Sequence, residues 1–248
     1  MVGLSATSSL RRHRRATTWI SCMSLLILIG LFIGYPHLTA LDQGVMTLVQ
    51  EHRSPTLDEV AVTFTLIGEF RNMLLFSALL TGLLLLCRQW RQALFAGGTM
   101  LCTALANTAT KQFFARVRPE VLSDPLTSYS MPSGHASGAF ALFLTLAVLA
   151  GRGQPPRMRL TWLLLACLPA LSIALSRVYL GAHWPTDVLA GAMLAACMCA
   201  ASLWLSQRQT PLNAMPFKVW WLILPALLAL FSFFALRHLP HAMLRYAY

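Results

Sequence analysis

The chain has 248 residues, of which 57% are hydrophobic and only 11% are charged. Soluble domains carry about 25% charged residues, so this composition excludes an ordinary soluble protein and indicates a membrane protein. The formal net charge of +11 does not indicate a nucleic-acid-binding protein, because the basic residues recur between apolar segments and form no single stripe.

Apolar stretches separated by short polar segments follow one another along the whole chain. A helical membrane crossing needs about 20 apolar residues, so a chain of this length has room for six or seven crossings. Seven stretches can be drawn, at residues 19–35, 72–87, 93–110, 138–149, 160–175, 188–205 and 217–236. The fourth is short unless Ser133 begins its helix. The sequence therefore predicts an all-α polytopic membrane helix bundle.

The first stretch follows a run of basic residues, Arg11, Arg12, Arg14 and Arg15. A basic run before an apolar stretch also suits a secretory signal peptide. This apolar stretch is long, however, and the Leu38-Thr39-Ala40 sequence is a poor cleavage signal. We therefore expect a retained membrane helix preceded by a basic cytoplasmic segment, residues 1–18.

The segment 37–71, between the first two stretches, is polar enough to lie outside the membrane. Within it, apolar residues recur at helical spacing, at Leu41, Val45, Leu48 and Val49. This spacing is typical of an amphipathic helix that lies on the membrane surface. A plain loop is the alternative.

The distribution of charge predicts the orientation of the chain, because Lys and Arg accumulate in the short cytoplasmic loops of membrane proteins. If the N-terminus is cytoplasmic, the inside segments carry basic residues and no acid: Arg11, Arg12, Arg14, Arg15, Arg88, Arg91, Arg152, Arg157, Arg159, Arg208 and Lys218. All eight acids then lie outside: Asp42, Glu51, Asp58, Glu59, Glu69, Glu120, Asp124 and Asp187. The charge pattern thus agrees with one topology.

Three polar blocks interrupt the apolar pattern, and the predicted topology places all three on the external side. The first reads Lys111-Gln-Phe-Phe-Ala-Arg-Val-Arg118-Pro119. Lys111 and Arg118 can hold phosphate oxygens, and the arginine can do so with two parallel hydrogen bonds. Snorkelling of basic side chains at the membrane interface is the alternative.

The second block, Ser130-Met-Pro132-Ser133-Gly134-His135, comes immediately before the fourth apolar stretch. A Pro-Ser-Gly sequence that opens a helix leaves free backbone N–H groups there, and the helix dipole favours an anion. A phosphate would suit this position. A serine cap followed by an incidental His135 is the alternative.

The third block, Ser176-Arg177-Val-Tyr-Leu-Gly-Ala-His183-Trp-Pro185-Thr-Asp187, joins the fifth and sixth stretches. Pro185 suits the first turn of a helix, which would bring His183 and Asp187 together. The carboxylate could then accept one ring N–H and leave the other ring nitrogen as a nucleophile. Arg177 adds a cation for phosphoryl oxygens, whereas a purely structural His–Asp pair is the alternative.

In this order, Lys-x6-Arg-Pro, Pro-Ser-Gly-His and Ser-Arg-x5-His-x3-Asp resemble the three signatures of the type 2 phosphatidic acid phosphatase (PAP2) superfamily. That family also includes glucose-6-phosphatase, vanadium haloperoxidases and soluble bacterial acid phosphatases. The resemblance covers residues 111–187 with specific motifs. Two features depart from the commonest pattern: Met131 stands where an aromatic residue often precedes the proline, and the stretch 217–236 exceeds the usual six spans.

The resemblance implies a bacterial integral membrane lipid phosphatase. Its six-span catalytic domain would be residues 19–205, and residues 206–248 would add a linker, a seventh span and an external tail. His183 would attack phosphorus and become a phosphohistidine, Asp187 would hold its tautomer, and His135 would protonate the departing lipid oxygen. The implied phosphate-binding groups are Lys111, Arg118, Ser133, the Gly134 N–H and Arg177.

No cofactor or metal ion is expected, because no carboxylate cluster remains to bind one. We interpret Glu120 and Asp124 as salt-bridge partners of the nearby cations. The six cysteines lie in or beside apolar stretches without a CxxC pair, so we interpret them as packing residues: Cys22, Cys87, Cys102, Cys167, Cys197 and Cys199.

The predicted function is hydrolysis of a lipid phosphate from the outer leaflet, at the periplasmic face of a bacterial inner membrane. Candidate substrates are undecaprenyl diphosphate, phosphatidic acid, phosphatidylglycerophosphate and a lipid A phosphate, of which we favour the first as a plausible outer-leaflet lipid. A lipid phosphotransferase with a polyprenyl diphosphate donor would carry the same three blocks. A transporter would place such residues near mid-span in repeated halves, whereas here they lie at span ends.

Overall fold

The computed structural model describes residues 2–121 and 128–246, with side chains placed for residues 14–121 and 128–237. In these parts of the chain it contains helices and no strand. The helices are α1 (Val2–Gly34), α2 (Thr39–Glu51), α3 (Pro55–Ile67), α4 (Phe70–Leu86), α5 (Trp90–Phe114), α6 (Gly134–Ala150), α7 (Pro156–Tyr179), α8 (Pro185–Ser206) and α9 (Phe217–Tyr246).

Each of the seven predicted apolar stretches corresponds to one helix, α1, α4, α5, α6, α7, α8 or α9, which confirms the all-α membrane bundle. Helix α1 begins well before residue 19, and α9 continues beyond residue 236. Among the residues that the structure describes, four helical segments are long and apolar enough to cross a membrane, namely Arg14–Gly34, Pro156–Tyr179, Pro185–Ser206 and Phe217–Arg237. A fifth crossing results when α3 and α4 are taken together, since they are joined by a 50° bend.

Helix α3 was not predicted, because its apolar residues lie in a segment interpreted as external. It packs against α7 and α9, and α9 also packs against α4. At the bend after α3, the side-chain amide of Asn72 donates to the Leu66 carbonyl across 2.8 Å. A Cβ on Gly68 would lie 2.1 Å from Ile173 Cγ2, so only glycine allows this approach of the bend to α7. The seventh stretch thus covers the outer face of the bent α3–α4 pair.

Helix α8 lies at the centre of the bundle and packs against α1, α5 and α6. In a membrane, small residues allow helices to approach closely enough for van der Waals packing. Ala190 and Ala195 of α8 are fully buried. A Cβ on Gly191 would lie 2.6 Å from the Ser133 carbonyl oxygen. The absent side chain therefore allows the start of α6 to lie against the start of α8.

Helix α2 confirms the predicted amphipathic helix of the first external segment. Leu41 and Leu48 are 60% and 58% exposed, as expected for side chains that meet lipid. The opposite face buries Met46 and, completely, the carboxylate of Asp42. A fully buried charge requires a partner, and that partner lies among the residues of the polar blocks.

Candidate active site

The three polar blocks come together at one end of the bundle, as the sequence predicts. The C-terminal turn of α5 carries Lys111, whose Nζ donates to the Ser130 carbonyl across 3.3 Å. The backbone N–H of Ser133 donates to the Asp187 carbonyl across 2.9 Å. Arg118 reaches the segment before α8. Helices α5, α6 and α8 therefore place one block each at a common site.

His183 is the most enclosed of the histidines at this site, with 1% of its surface exposed. Its Nε2 lies 3.0 Å from Nη1 of Arg118. A guanidinium has only donors, so this contact requires a lone pair on Nε2 and assigns the ring proton to Nδ1. Arg118 also donates to the Ala182 and Ser128 carbonyls, both across 2.6 Å. The tautomer with a basic Nε2 follows from this arrangement.

Asp187 lies on the other side of the His183 ring. Its Oδ2 is 3.5 Å from Nδ1, and the Ser130 hydroxyl, itself 3.5 Å from Nδ1, also donates to this oxygen. Pro185 begins α8, and the Trp184 N–H donates to Oδ2 across 2.9 Å. The helix start therefore brings His183 and Asp187 together in the predicted way, with Ser130 beside both.

The surroundings of His183 lower the pKa of its imidazole well below the ordinary value near 6.5. Burial is the largest cause, because it penalises the charged ring, and the positive charges of Arg118, Arg177 and Lys111 act in the same direction. Protonation would occur only at pH values below this lowered pKa. The ring is therefore neutral, and able to act as a nucleophile, at neutral pH.

Arg177 is almost completely buried, with 1% of its surface exposed. Its Nη1 donates to Thr65 Oγ1 on α3 across 2.6 Å, so the helix that was not predicted orients this cation. The Arg177 carbonyl accepts the N–H groups of Ala182 and His183 across 3.0 and 3.2 Å. This residue thus holds the backbone of the segment that carries His183 and adds a positive charge beside it.

The second block begins α6 as predicted. Ser133 is the N-cap, and its hydroxyl accepts the Ala136 N–H across 3.4 Å. Gly134 and His135 are half-buried in the first turn. His135 lies within electrostatic range of His183 and of Arg177, Arg118 and Lys111. All eight predicted site residues therefore lie at this end of the bundle, although their roles stay predictions.

The sequence reasoning missed two ionic residues, Arg116 and Asp42. Arg116 donates to Asp187 Oδ1 and to Asp42 Oδ2, both across 2.7 Å. Its Nη1 also donates to Thr186 Oγ1 across 2.7 Å. Arg116 lies inside the first block, but the Lys-x6-Arg-Pro pattern selects Arg118 and gives Arg116 no predicted role. Asp42 stands four residues before Met46 on the buried face of α2, and no sequence signal separates it from an acid that faces water.

Within the described residues, no three His, Cys, Asp or Glu side chains come close enough together to hold a metal ion. The expectation that the enzyme works without a metal stays a prediction. Asp124 lies outside the described residues.

A polytopic helix bundle that gathers a neutral histidine, a carboxylate and several cations at one end defines a membrane enzyme that acts on phosphate. The family model of the PAP2 superfamily matches residues 92–211, which contain all three blocks. Residues 92–211 are thus a PAP2 superfamily region, and the chain is a multi-pass bacterial membrane phosphatase that acts on lipid.

Two curated relatives and one solved structure are informative. Phosphatidylglycerophosphatase B of Bacillus subtilis is 28% identical over 155 residues, which are 60% of this chain and 75% of the relative. Undecaprenyl-diphosphatase of Sulfolobus acidocaldarius is 42% identical over 86 residues, 33% of this chain and 36% of the relative.

The solved structure is the crystal structure of a transmembrane PAP2 type phosphatidylglycerolphosphate phosphatase from Bacillus subtilis. It matches with a TM-score of 0.67 and 23% identity over 77% of this chain and 98% of that chain. This match confirms the fold.

Proposed function

We propose that the protein hydrolyses a lipid phosphate or diphosphate through a phosphohistidine on His183. The observation that carries the proposal is the position of the ring between Arg118 at Nε2 and Asp187 at Nδ1. A carboxylate on one side and a basic nitrogen on the other is the arrangement of an oriented nucleophile.

In the first step, Nε2 of His183 forms a bond to phosphorus while the bond from phosphorus to the lipid oxygen breaks. His135 donates its proton to that oxygen, and the lipid alcohol or lipid monophosphate leaves. The negative charge of a bound substrate favours the protonated form of His135. Asp187 accepts a hydrogen bond from the Nδ1–H group and stabilises the positive charge that the ring acquires.

In the second step, water attacks the phosphorus, and the neutral His135 accepts a proton from it. The bond from phosphorus to Nε2 breaks, and inorganic phosphate leaves. The enzyme returns with a neutral His183 and a protonated His135, so the reaction consumes one water for each phosphate released.

Charge on the transferred phosphoryl group is stabilised by Lys111, Arg118, Arg177, the Ser133 hydroxyl and the Gly134 N–H. Fixed donors of this kind perform the task that metal ions perform in kinases. The buried position of Arg177 keeps its charge effective, because water screens it little.

The substrate is proposed to be undecaprenyl diphosphate, with phosphatidylglycerophosphate, phosphatidic acid and a lipid A phosphate as competitors. Two relatives carry the names undecaprenyl-diphosphatase and phosphatidylglycerophosphatase B, which keeps both lipids among the candidates. The phosphate pocket described here recognises the group that all these lipids share.

The proposed reaction takes place at the periplasmic face of the inner membrane, with the N-terminus in the cytoplasm. The loop charges support this orientation, because all eight acids then lie outside. A lipid of the outer leaflet would enter the site sideways between the helices.

Phosphate release by the purified protein from each candidate lipid tests the proposal. The substrate is expected to give phosphate release. Rapid quenching of the same reaction should trap phosphate on the protein that is labile in acid and stable in base, as a phosphohistidine is. Parallel reactions with an acceptor lipid distinguish the phosphotransferase, which would move phosphate to the acceptor and release little. The proposal is wrong if the folded protein releases phosphate from none of these lipids.

A further inference from the structure

The end of the bundle opposite the active site carries a cavity of about 480 Å³. Cavities of ~300–1,000 Å³ are typical of small-ligand sites. Ile20 of α1 and Leu163 of α7 form its sides, and Ala147 of α6 and Ala200 of α8 form its floor. Because α1 packs on α8 and α7 packs on α6, these small floor residues leave a groove between α1 and α7. We call this cavity the basic-end groove.

Two arginines, Arg152 and Arg159, line the basic-end groove where it reaches the linker between α6 and α7. Nη1 of Arg152 donates to Gln207 Oε1 across 3.1 Å. The Arg159 side chain passes over Gly151, where a Cβ would lie 3.3 Å from Arg159 Cγ. The structure therefore holds two positive charges side by side at the mouth of an apolar groove.

Burial and the neighbouring charge of Arg159 lower the pKa of Arg152 to about 10. The sequence contains no acid between Asp124 and Asp187, and none after Asp187. Arg152 is half-buried, and the exposed Arg159 beside it donates from Nε to the Gln154 carbonyl across 2.8 Å. An anion placed between two like charges lowers their repulsion. The chemistry of the groove therefore calls for a ligand with an apolar chain and an anionic head.

We propose that the basic-end groove binds an anionic phospholipid. One acyl chain lies between α1 and α7, and the phosphate accepts hydrogen bonds from Arg152 and Arg159. Basic pockets between membrane helices bind anionic head groups in this way, and zwitterionic lipids gain less because their own cation cancels the attraction. The site lies at the other end of the bundle from His183, so it is separate from catalysis.

Native mass spectrometry of the purified full chain tests the site, with phosphatidylglycerol and phosphatidylcholine of identical chains as probes. Phosphatidylglycerol carries no terminal phosphate, so it is not consumed by a phosphatase. We expect preferential binding of phosphatidylglycerol by roughly tenfold, and loss of this preference in the Arg152→Ala/Arg159→Ala variant. The matched control is Arg157→Ala/Lys218→Ala, which removes two exposed charges at the same end and should keep the preference.

The same titration with the His183→Ala variant should give the same preference, because the proposal does not depend on the reaction. If the double variant does not fold, Ala196→Leu provides a second test, since its longer side chain fills the groove and leaves both arginines in place. Equal binding of both lipids by the unmodified chain overturns the proposal. A preference that survives the removal of Arg152 and Arg159 overturns it too.

A second inference rests on a different observation, the fully buried carboxylate of Asp42. Its Oδ1 accepts the Thr186 N–H across 3.0 Å, and its Oδ2 accepts the Thr186 hydroxyl across 2.6 Å. Oδ2 also pairs with Arg116, which pairs in turn with Asp187. Removing one partner of a buried ion pair leaves an uncompensated charge, so this chain of contacts is tightly coupled.

We infer that Asp42 is a positioning residue for the proposed nucleophile. It touches neither His183 nor the phosphate pocket, and it acts by fixing Arg116 and the first turn of α8, which carries Asp187. Asp42 lies outside the 92–211 region matched by the family model. Asp42 belongs to the interfacial helix α2, so the packing of that helix would affect the geometry of the catalytic residues. This inference about Asp42 rests on the proposed function.

Steady-state kinetics of Asp42→Asn test this inference. We expect kcat to fall roughly tenfold to a hundredfold with little change in KM, because small misplacements of catalytic groups slow the chemical step. Asp42→Glu keeps the charge and should recover part of kcat. Glu59→Gln, an exposed acid on α3, is the matched control and should leave kcat unchanged.

A double-mutant cycle with Arg116→Gln completes the test. The loss in the double variant should be smaller than the product of the two single losses, because both act on Asp187. An unchanged kcat in folded Asp42→Asn overturns the inference. It is also overturned if kcat/KM falls only because KM rises. A failure of the proposed function would be seen separately, because His183→Ala in the otherwise unmodified protein would then keep its activity.

Discussion

The Arg118 guanidinium donates to Nε2 of His183 across 3.0 Å, so the lone pair proposed to attack phosphorus faces a cationic donor. A phosphoryl group that enters between them would accept the Arg118 hydrogen bonds on its oxygens and expose Nε2 to the phosphorus. Arg118 therefore holds the ring tautomer, and we propose that it also binds the phosphoryl group that enters between it and Nε2.

Arg118→Lys is expected to lower kcat/KM by roughly tenfold to a hundredfold. Lysine keeps the charge but lacks the planar pair of donors that can hold two phosphoryl oxygens at once. Kinetics on the preferred lipid measure the effect, and Arg157→Lys at the exposed start of α7 serves as the control. Equal activity of Arg118→Lys and the unmodified enzyme would show that two-point contact is not used.

Substitution of each of the three proposed catalytic residues should remove a different function. His183→Ala removes the nucleophile and should abolish turnover, whereas Asp187→Asn leaves a poorly oriented ring and His135→Ala removes the proton donor. Proton transfer by a positioned acid contributes about 10²- to 10⁴-fold, so each of the latter two should lose orders of magnitude in rate. Phosphate release is the measurement.

His37→Ala, a change at an exposed histidine in the turn before α2, is the control for these variants. It should retain normal activity. Near-normal turnover by a folded His183→Ala protein would contradict the mechanism.

The pH dependence of kcat/KM follows from the lowered pKa of His183. Attack needs the neutral ring, so activity should persist as the pH falls through 6.5 and disappear only below the lowered pKa. His135 must be protonated in the enzyme–substrate complex, where the negative charge of the substrate favours that form, so the profile of kcat gains an alkaline limb and is bell-shaped. Initial rates in overlapping buffers measure the profile, and an acid limb centred at or above 6.5 would show that the cations around His183 do not act on it.

Activity should survive EDTA and should be inhibited by vanadate. The pocket consists of cations and N–H groups, which can stabilise a trigonal-bipyramidal oxyanion without a metal. Phosphate release with and without each reagent is the measurement. Loss of activity in EDTA with recovery in Mg²⁺ would contradict the metal-free mechanism.

The orientation of the chain is tested by labelling single cysteines in a cysteine-free variant with an impermeant maleimide. Residues near 90, 155 and 210 should be cytoplasmic, whereas 119–129 and 181–184 should be external. Ser123→Cys should therefore label in intact cells or spheroplasts, and Gln154→Cys only after permeabilisation. The reverse pattern would move the reaction to the cytoplasmic side and remove outer-leaflet carriers from the substrates.

The C-terminus provides a separate test of the seventh span. Seven crossings place Tyr248 outside, so Tyr248→Cys should label without permeabilisation. Both Ser123 and Tyr248 lie outside the described residues, and the labelling does not depend on their structure. Protection of Tyr248→Cys in intact cells would show that α9 does not cross the membrane.

The sequence by itself predicted the helices of the seven apolar stretches and the eight residues of the three blocks that lie at the site. Apolar stretches of membrane length require helices, because lipid offers no partners for backbone polar groups. The residues of the three blocks lie at the ends of those helices, so their meeting at one end of the bundle followed from the order of the spans. The pairing of His183 with Asp187 was equally local, since Pro185 begins a helix between them.

The tertiary structure alone showed the contacts of Asp42, Arg116 and α3 at the site. An acid on an amphipathic helix has the same sequence pattern whether it faces water or a buried arginine, and only packing distinguishes the two. Arg116 and Arg118 are two residues apart, and the fold directs one to carboxylates and the other to His183. Thr65 on α3 meets Arg177 because the chain bends at Gly68, where close packing against Ile173 requires the absence of a side chain.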